Sequence, residues 1–120
     1  MSTIASMPSS LILAALLYRL RTTGWPYVDL NRLIQVYEKF QSDTGMLIYG
    51  SYFDHSRQAI RRELEGDLKD LEMRRLIQRT VSRIQLTGPG IPSVKTLRVP
   101  VTHKRLADAA DALFPPKVTP

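Results

Sequence analysis

Between positions 56 and 62 the chain reads Ser56, Arg57, Gln58, Ala59, Ile60, Arg61, Arg62. An arginine guanidinium can bond guanine O6 and N7 together, a glutamine amide can do the same to adenine, and serine or lysine mostly reaches phosphate. Ser56, Arg57, Gln58, Arg61 and Arg62 therefore carry donor types suited to a polyanion, and Arg79 and Arg83 add two more cations downstream. The same residues also make an ordinary solvated helix face with local ion pairs, such as Arg62 with Glu65 or Glu65 with Lys69, each adding only a few tenths of a kcal/mol. Other chemistries find less support. His55 and His103 are the only histidines and there is no cysteine, so a metal site would have to borrow carboxylates from distant segments. The glycine-containing stretch Thr87–Gly90 lacks both the basic residue and the following helix of a phosphate loop. Acid pairs such as Glu63 and Asp67 fall on the charged side of a helix, where a surface role outweighs catalysis. No active site, metal or cofactor is expected.

The elements that position these residues can be read from periodicity. Ser9 or Ser10 is expected to cap a first helix over about 10–22, with Leu13, Leu16, Leu17 and Leu20 at helical spacing and Gly24 as its stop. Leu11, Ile12, Ala14 and Ala15 fill the gaps between them, so that helix should be buried on most sides or shared with a partner chain. Asp29 caps a second helix carrying Leu30, Leu33, Ile34, Tyr37 and Phe40, which ends at the Ser42–Gly45 turn. Met46–Tyr49 reads as a short strand or an extended link. Ser51 with Asp54 fits a capping box, and Asp54 or Ser56 could cap instead. A third helix over about 56–76 shows Ile60, Leu64, Leu68 and Leu71 in steps of four, four and three. Gly66 within it costs about 1 kcal/mol relative to alanine, which suggests a kink or a close backbone approach.

Alternation of Ile77, Arg79 and Val81, and then of Ile84 and Leu86, predicts a hairpin turning around Ser82. Gly88, Pro89, Gly90 and Pro92 break regular structure, and Leu97–Val101 reads as extended. Thr102 is expected to cap a last helix with Leu106, Ala109, Ala110 and Leu113, ended by Phe114, Pro115 and Pro116.

A length of 120 residues suits one domain. The longest apolar run, Leu11–Tyr18, falls far short of the about 20 residues that span a bilayer. No basic residue precedes that run, so it does not read as a secretory signal, and the expected location is the cytoplasm. The net charge of +6 is unevenly placed: residues 1–56 are neutral, 57–83 carry +3 and 84–120 carry another +3. Basic excess of this kind is a weak pointer to a polyanionic partner. Trp25, Tyr27, Tyr37, Tyr49, Tyr52 and Phe53 cluster in the neutral half, where packing is favoured over stacking on exposed bases. If single-stranded nucleic acid were the ligand, Tyr49 and Tyr52 would be the rings to carry it.

The order helix, helix, helix, hairpin, helix, with "DLKDLEMRRLIQRT" followed by "RIQLTGPG", resembles winged helix-turn-helix proteins of the PadR and MarR type. The resemblance covers about Leu11 to Gly90. It departs from the family where Arg74 and Arg75 replace the usual glycine before the "LI" pair, and in the short wing between Thr80 and Arg83. The resemblance implies a mainly α fold with a small β-hairpin, a winged helix-turn-helix with an additional C-terminal helix. The matching division is a flexible terminus (1–8), a winged-helix domain (9–90), a linker and C-terminal helix (91–114) and a flexible tail (115–120). It further implies that Ser56, Arg57, Gln58, Arg61 and Arg62 face double-stranded DNA from the third helix and Arg79 and Arg83 from the wing. The function implied is non-catalytic DNA binding in transcription regulation by a homodimer, paired through the first and last helices. The alternative is a winged-helix module that docks on a larger protein assembly, which the five acids between Glu63 and Glu72 favour.

Overall fold

The computed structural model describes residues 8–81, 83–88 and 104–117. The first helix, α1 (Ser9–Thr22), begins one residue earlier than its serines suggest. Pro8 takes the cap position, its carbonyl accepting from the Leu11 and Ile12 amides, and no side chain caps the helix. Its far end is a Schellman closure: Trp25 N–H donates to the Leu20 carbonyl at 2.8 Å and Gly24 N–H to that of Arg21 at 3.2 Å, with Gly24 at φ 102°.

Helix α2 (Leu30–Thr44) has the expected cap, the Asp29 carboxylate accepting from Arg32 N–H at 3.0 Å. Burial alone would raise the Asp29 pKa, but the Arg32 amide and guanidinium outweigh it and hold the carboxyl below its ordinary value. Gly45, at φ 72°, ends the helix. Helix α3 (Arg57–Met73) is capped by Ser56, whose hydroxyl oxygen accepts from Ala59 N–H at 3.3 Å. Gly66 interrupts nothing: the helix runs through it, the residue is exposed, and no atom lies within 4 Å of where a Cβ would stand. The close backbone approach suggested by the sequence is absent.

Helix α3 stops three residues short of the expected end because Arg75 turns left-handed, at φ 61°. Leu76 N–H then bonds the Leu71 carbonyl at 3.0 Å and Arg75 N–H that of Glu72 at 2.9 Å, repeating the closure of α1 with arginine in the glycine position. Leu76 is thereby freed to lead into β1 (Ile77–Arg79), which pairs antiparallel with β2 (Ile84–Leu86): Ile77 faces Leu86, Gln78 faces Gln85 and Arg79 faces Ile84. Val81, expected in the first strand, sits fully exposed in the turn. One further pairing comes from the α1–α2 connection, where Val28 and Ile84 exchange both backbone bonds at 3.0 and 2.8 Å. Met46–Ile48 is an irregular link.

Helix α4 (Lys104–Leu113) lies on α2, while α1 and α2 both pack on α3, so the molecule is mainly helical with a small two-stranded hairpin. One core joins Leu13, Leu16 and Leu20 of α1, Phe40 of α2, Leu64 and Leu68 of α3, and Phe114. Since α1 and α4 bury Leu13, Leu16, Leu20, Leu106, Ala109 and Ala110 inside a single chain, the dimer surface expected on them is already occupied. Among the described residues no helix is long and apolar enough to cross a membrane. The expectations for residues 1–7, the Ser82 turn centre, the breaker loop from Pro89, Leu97–Val101, the Thr102 cap and residues 118–120 lie outside the described residues.

Candidate nucleic-acid interface

The link into α3 is a tightly bonded turn. Gly50, at φ 82°, donates its N–H to a Glu63 carboxylate oxygen at 2.6 Å, and a Cβ here would stand 3.0 Å from the Asp54 carbonyl, so the position needs glycine. Ser51 and Asp54 exchange backbone bonds at 2.9 and 3.2 Å, a turn rather than the capping box expected for the pair. That turn projects Tyr52 and Phe53 into solvent, 83% and 102% exposed. The Asp54 carboxylate accepts from the Ser56 hydroxyl at 2.8 Å and the Ser56 amide at 3.2 Å, and these two bonds hold it below the ordinary carboxylate range.

Ser56 is thus committed on both sides, donating to Asp54 and capping α3. Arg57 is tied to α2, its Nη2 and Nε donating to Glu38 Oε1 at 2.7 and 3.2 Å, and that carboxylate pushes its pKa above the usual arginine value. Arg61 reaches Glu65 at 3.5 Å, one turn along. Gln58 and Arg62 are exposed, and among the described residues neither is in an ion pair or a side-chain hydrogen bond; the charge of Arg62 helps hold Asp54 ionised. The capped end of α3 therefore presents Gln58, Arg61 and Arg62 outward, with Arg57 braced against α2 beside them. Lys69, further along the same exposed side, was not among the sequence candidates.

On the hairpin, Arg79 is half-buried opposite Ile84. Arg83 stands over the Tyr27 ring, its guanidinium carbon 5.1 Å from the centroid. Both line a groove of about 840 Å³ between the hairpin and the last turn of α3. Tyr27 and Arg75 also line it, and neither was a sequence candidate. Their signals are the backbone exchange at Val28 and the positive φ at 75, which only three dimensions reveal.

The aromatic cluster splits. Trp25 meets Phe114 edge-on at 5.2 Å, and Tyr37 meets Tyr49 at 4.7 Å between centroids. Tyr49 is buried and donates its hydroxyl to Asp67 at 2.6 Å, so it is unavailable to a base, which corrects its candidacy as a stacking ring. Tyr52 remains available. Among the described residues no three His, Asp or Glu side chains gather in a way that could hold a metal ion. No family model, no curated protein and no solved structure matches this chain.

Proposed function

We propose that this chain is a non-catalytic winged-helix protein that binds double-stranded DNA through the capped end of α3 and regulates transcription. The observation that carries the reading is the outward row of Gln58, Arg61 and Arg62 at the end of a helix held by two neighbours and a side-chain cap. A helix presented in this way fits the major groove, with its first turns towards the base edges. The Val28–Ile84 pairing supports it further, because it ties the hairpin to the α1–α2 connection and so fixes Arg83 relative to α3. The ion pairs of Arg57 with Glu38 and Arg61 with Glu65 are solvent-exposed surface pairs, weak enough for phosphate to displace. With α1 and α4 packed inside the chain, the proposal concerns one protomer on DNA, and a dimer would have to use another surface.

The test is the triple variant Arg57→Ala, Arg61→Ala, Arg62→Ala. It is expected to keep its helical circular dichroism and to lose duplex binding at low salt by at least tenfold. A folded triple variant that binds duplex DNA like the parent overturns the reading. An equal loss of binding to a protein partner is not expected; binding to protein by a parent chain that ignores DNA would transfer the function to the interaction-module alternative.

A further inference from the structure

We infer that the groove between the outer face of the hairpin and the last turn of α3 is a binding site for a nucleotide, with Arg75 and Arg83 as its phosphate donors and Tyr27 as its stacking surface. Strand alternation puts Gln78 and Gln85 on the face opposite the buried Ile77, Ile84 and Leu86. Tyr27 precedes the bridged Val28 and comes out on that same outer face, about half exposed. The face is consequently a flat polar platform, with Gln85 Nε2 donating to Gln78 Oε1 at 3.0 Å and amide edges left for further bonds. Arg83 lies over one face of the Tyr27 ring, so a base stacks on that face as the guanidinium swings off it to the phosphate.

Arg75 supplies the independent observation. The closure it makes at the end of α3 uses the same two backbone bonds as the closure of α1, where Gly24 sits at φ 102°. Glycine reaches that conformation without steric cost, whereas an arginine at φ 61° is strained. Strained non-glycine residues collect at functional sites because the side chain is needed there. This side chain lines the groove. Charge points the same way. Arg19, Arg32, Arg57, Arg61 and Arg74 are all in ion pairs, while Arg75, Arg79 and Arg83, like Arg21 and Arg62 elsewhere on the surface, are in none among the described residues. Against these three the groove holds one carboxylate, Glu72. Its volume of about 840 Å³ accommodates a nucleotide. Guanidinium groups for phosphate, a stacked ring for the base and amide edges for its polar rim together define the ligand class. The nucleotide can be free in solution or be one unit of a nucleic-acid strand. Although Arg79 and Arg83 also belong to the proposed DNA surface, this site does not depend on α3 reading base edges.

The experiment is an amide NMR titration of the full chain with adenosine 5′-monophosphate, with adenosine, and with a six-nucleotide single strand. Adenosine 5′-monophosphate is expected to move the amide signals of Tyr27, Arg75, Gln78 and Gln85, and adenosine to bind at least tenfold more weakly. Arg75→Gly should raise the melting temperature and weaken nucleotide binding at least fivefold, a combination that a merely structural arginine would not give. Arg83→Ala should weaken binding similarly, and the Arg57, Arg61, Arg62 triple variant should bind the nucleotide like the parent. A strand bound more than tenfold tighter than the mononucleotide assigns the site to nucleic acid, and equal or weaker binding assigns it to a free nucleotide. The inference is overturned if none of the three probes moves the groove signals, or if both single variants bind like the parent. Failure of duplex binding with an intact groove response would remove the α3 reading alone.

Discussion

Tyr37 and Tyr49 meet at the centre of the α2–α3 packing, and their two hydroxyls have different circumstances. Tyr49 donates to Asp67, while the Tyr37 hydroxyl is buried beside that of Tyr49 and, among the described residues, makes no well-formed hydrogen bond. A hydrogen bond to a charged group contributes about 1.5–3 kcal/mol, and an unsatisfied buried hydroxyl contributes nothing or costs stability. Tyr49→Phe should therefore destabilise by about 1–2 kcal/mol and Tyr37→Phe should be neutral or stabilising, both read by urea unfolding. Burial raises the pKa of both rings well above the ordinary tyrosine value, and for Tyr49 the neighbouring Tyr37 and Asp67 push the same way. The folded chain thus keeps protons that the unfolded chain releases above pH about 10. Stability is intact below that pH and falls as pH rises beyond it, by about 1.4 kcal/mol per unit for each ring. Absorbance at 295 nm during alkaline titration should show Tyr37 and Tyr49 ionising only together with loss of helical circular dichroism; ionisation of all five tyrosines with the fold intact would contradict the packing.

At the scale of elements, glycine placement gives opposite expectations at two positions. Gly66 occupies an exposed, unstrained turn of α3, so Gly66→Ala should stabilise by about 1 kcal/mol through helix propensity alone. Gly50 is the reverse: its left-handed φ and the 3.0 Å approach of the Asp54 carbonyl make Gly50→Ala destabilising by about 1–3 kcal/mol, checked by thermal unfolding. Helix α2 is legible in the sequence because its Asp29 cap and its apolar steps agree, and α3 through its apolar steps, while the sequence leaves its cap open among Ser51, Asp54 and Ser56. The end of α3 is marked only by the resemblance, which expects glycine just before the Leu76–Ile77 pair; apolar spacing alone carries the helix on to Leu76. The start of α1 is misread for a similar reason: Ser9 and Ser10 are good caps, yet the chain already turns helical after Pro8. The pairing of Val28 with Ile84 is invisible to periodicity because it involves one residue of a connection and a partner 56 positions away.

The whole molecule is closed by contacts between its two ends. Arg19 binds both Asp111 carboxylate oxygens, at 2.6 and 3.2 Å, and Trp25 Nε1 donates to the Pro115 carbonyl at 2.8 Å. Arg32 lies 4.9 and 4.8 Å from the ring centroids of Trp25 and Phe114. Phe114 is fully buried in this cluster, so Phe114→Ala should cost about 3–5 kcal/mol in chemical unfolding. The apolar pattern of α4 predicts a helix, but not that it completes the core against α2 nor that the α1–α2 connection receives Phe114, because these contacts join residues about sixty to ninety positions apart. Of the site, the α3 cations could be named from residue type and spacing, while Tyr27 and Arg75 required the fold. Binding of duplex DNA by the capped end of α3 is the proposal on which the functional reading depends. Its most direct measurement is fluorescence anisotropy of random-sequence duplex DNA with the parent chain across a salt series. Binding at low salt should fall with a log–log slope of about −3 to −5, the value for four or five neutralised phosphates. No binding at low salt, or binding that does not change with salt, would contradict it.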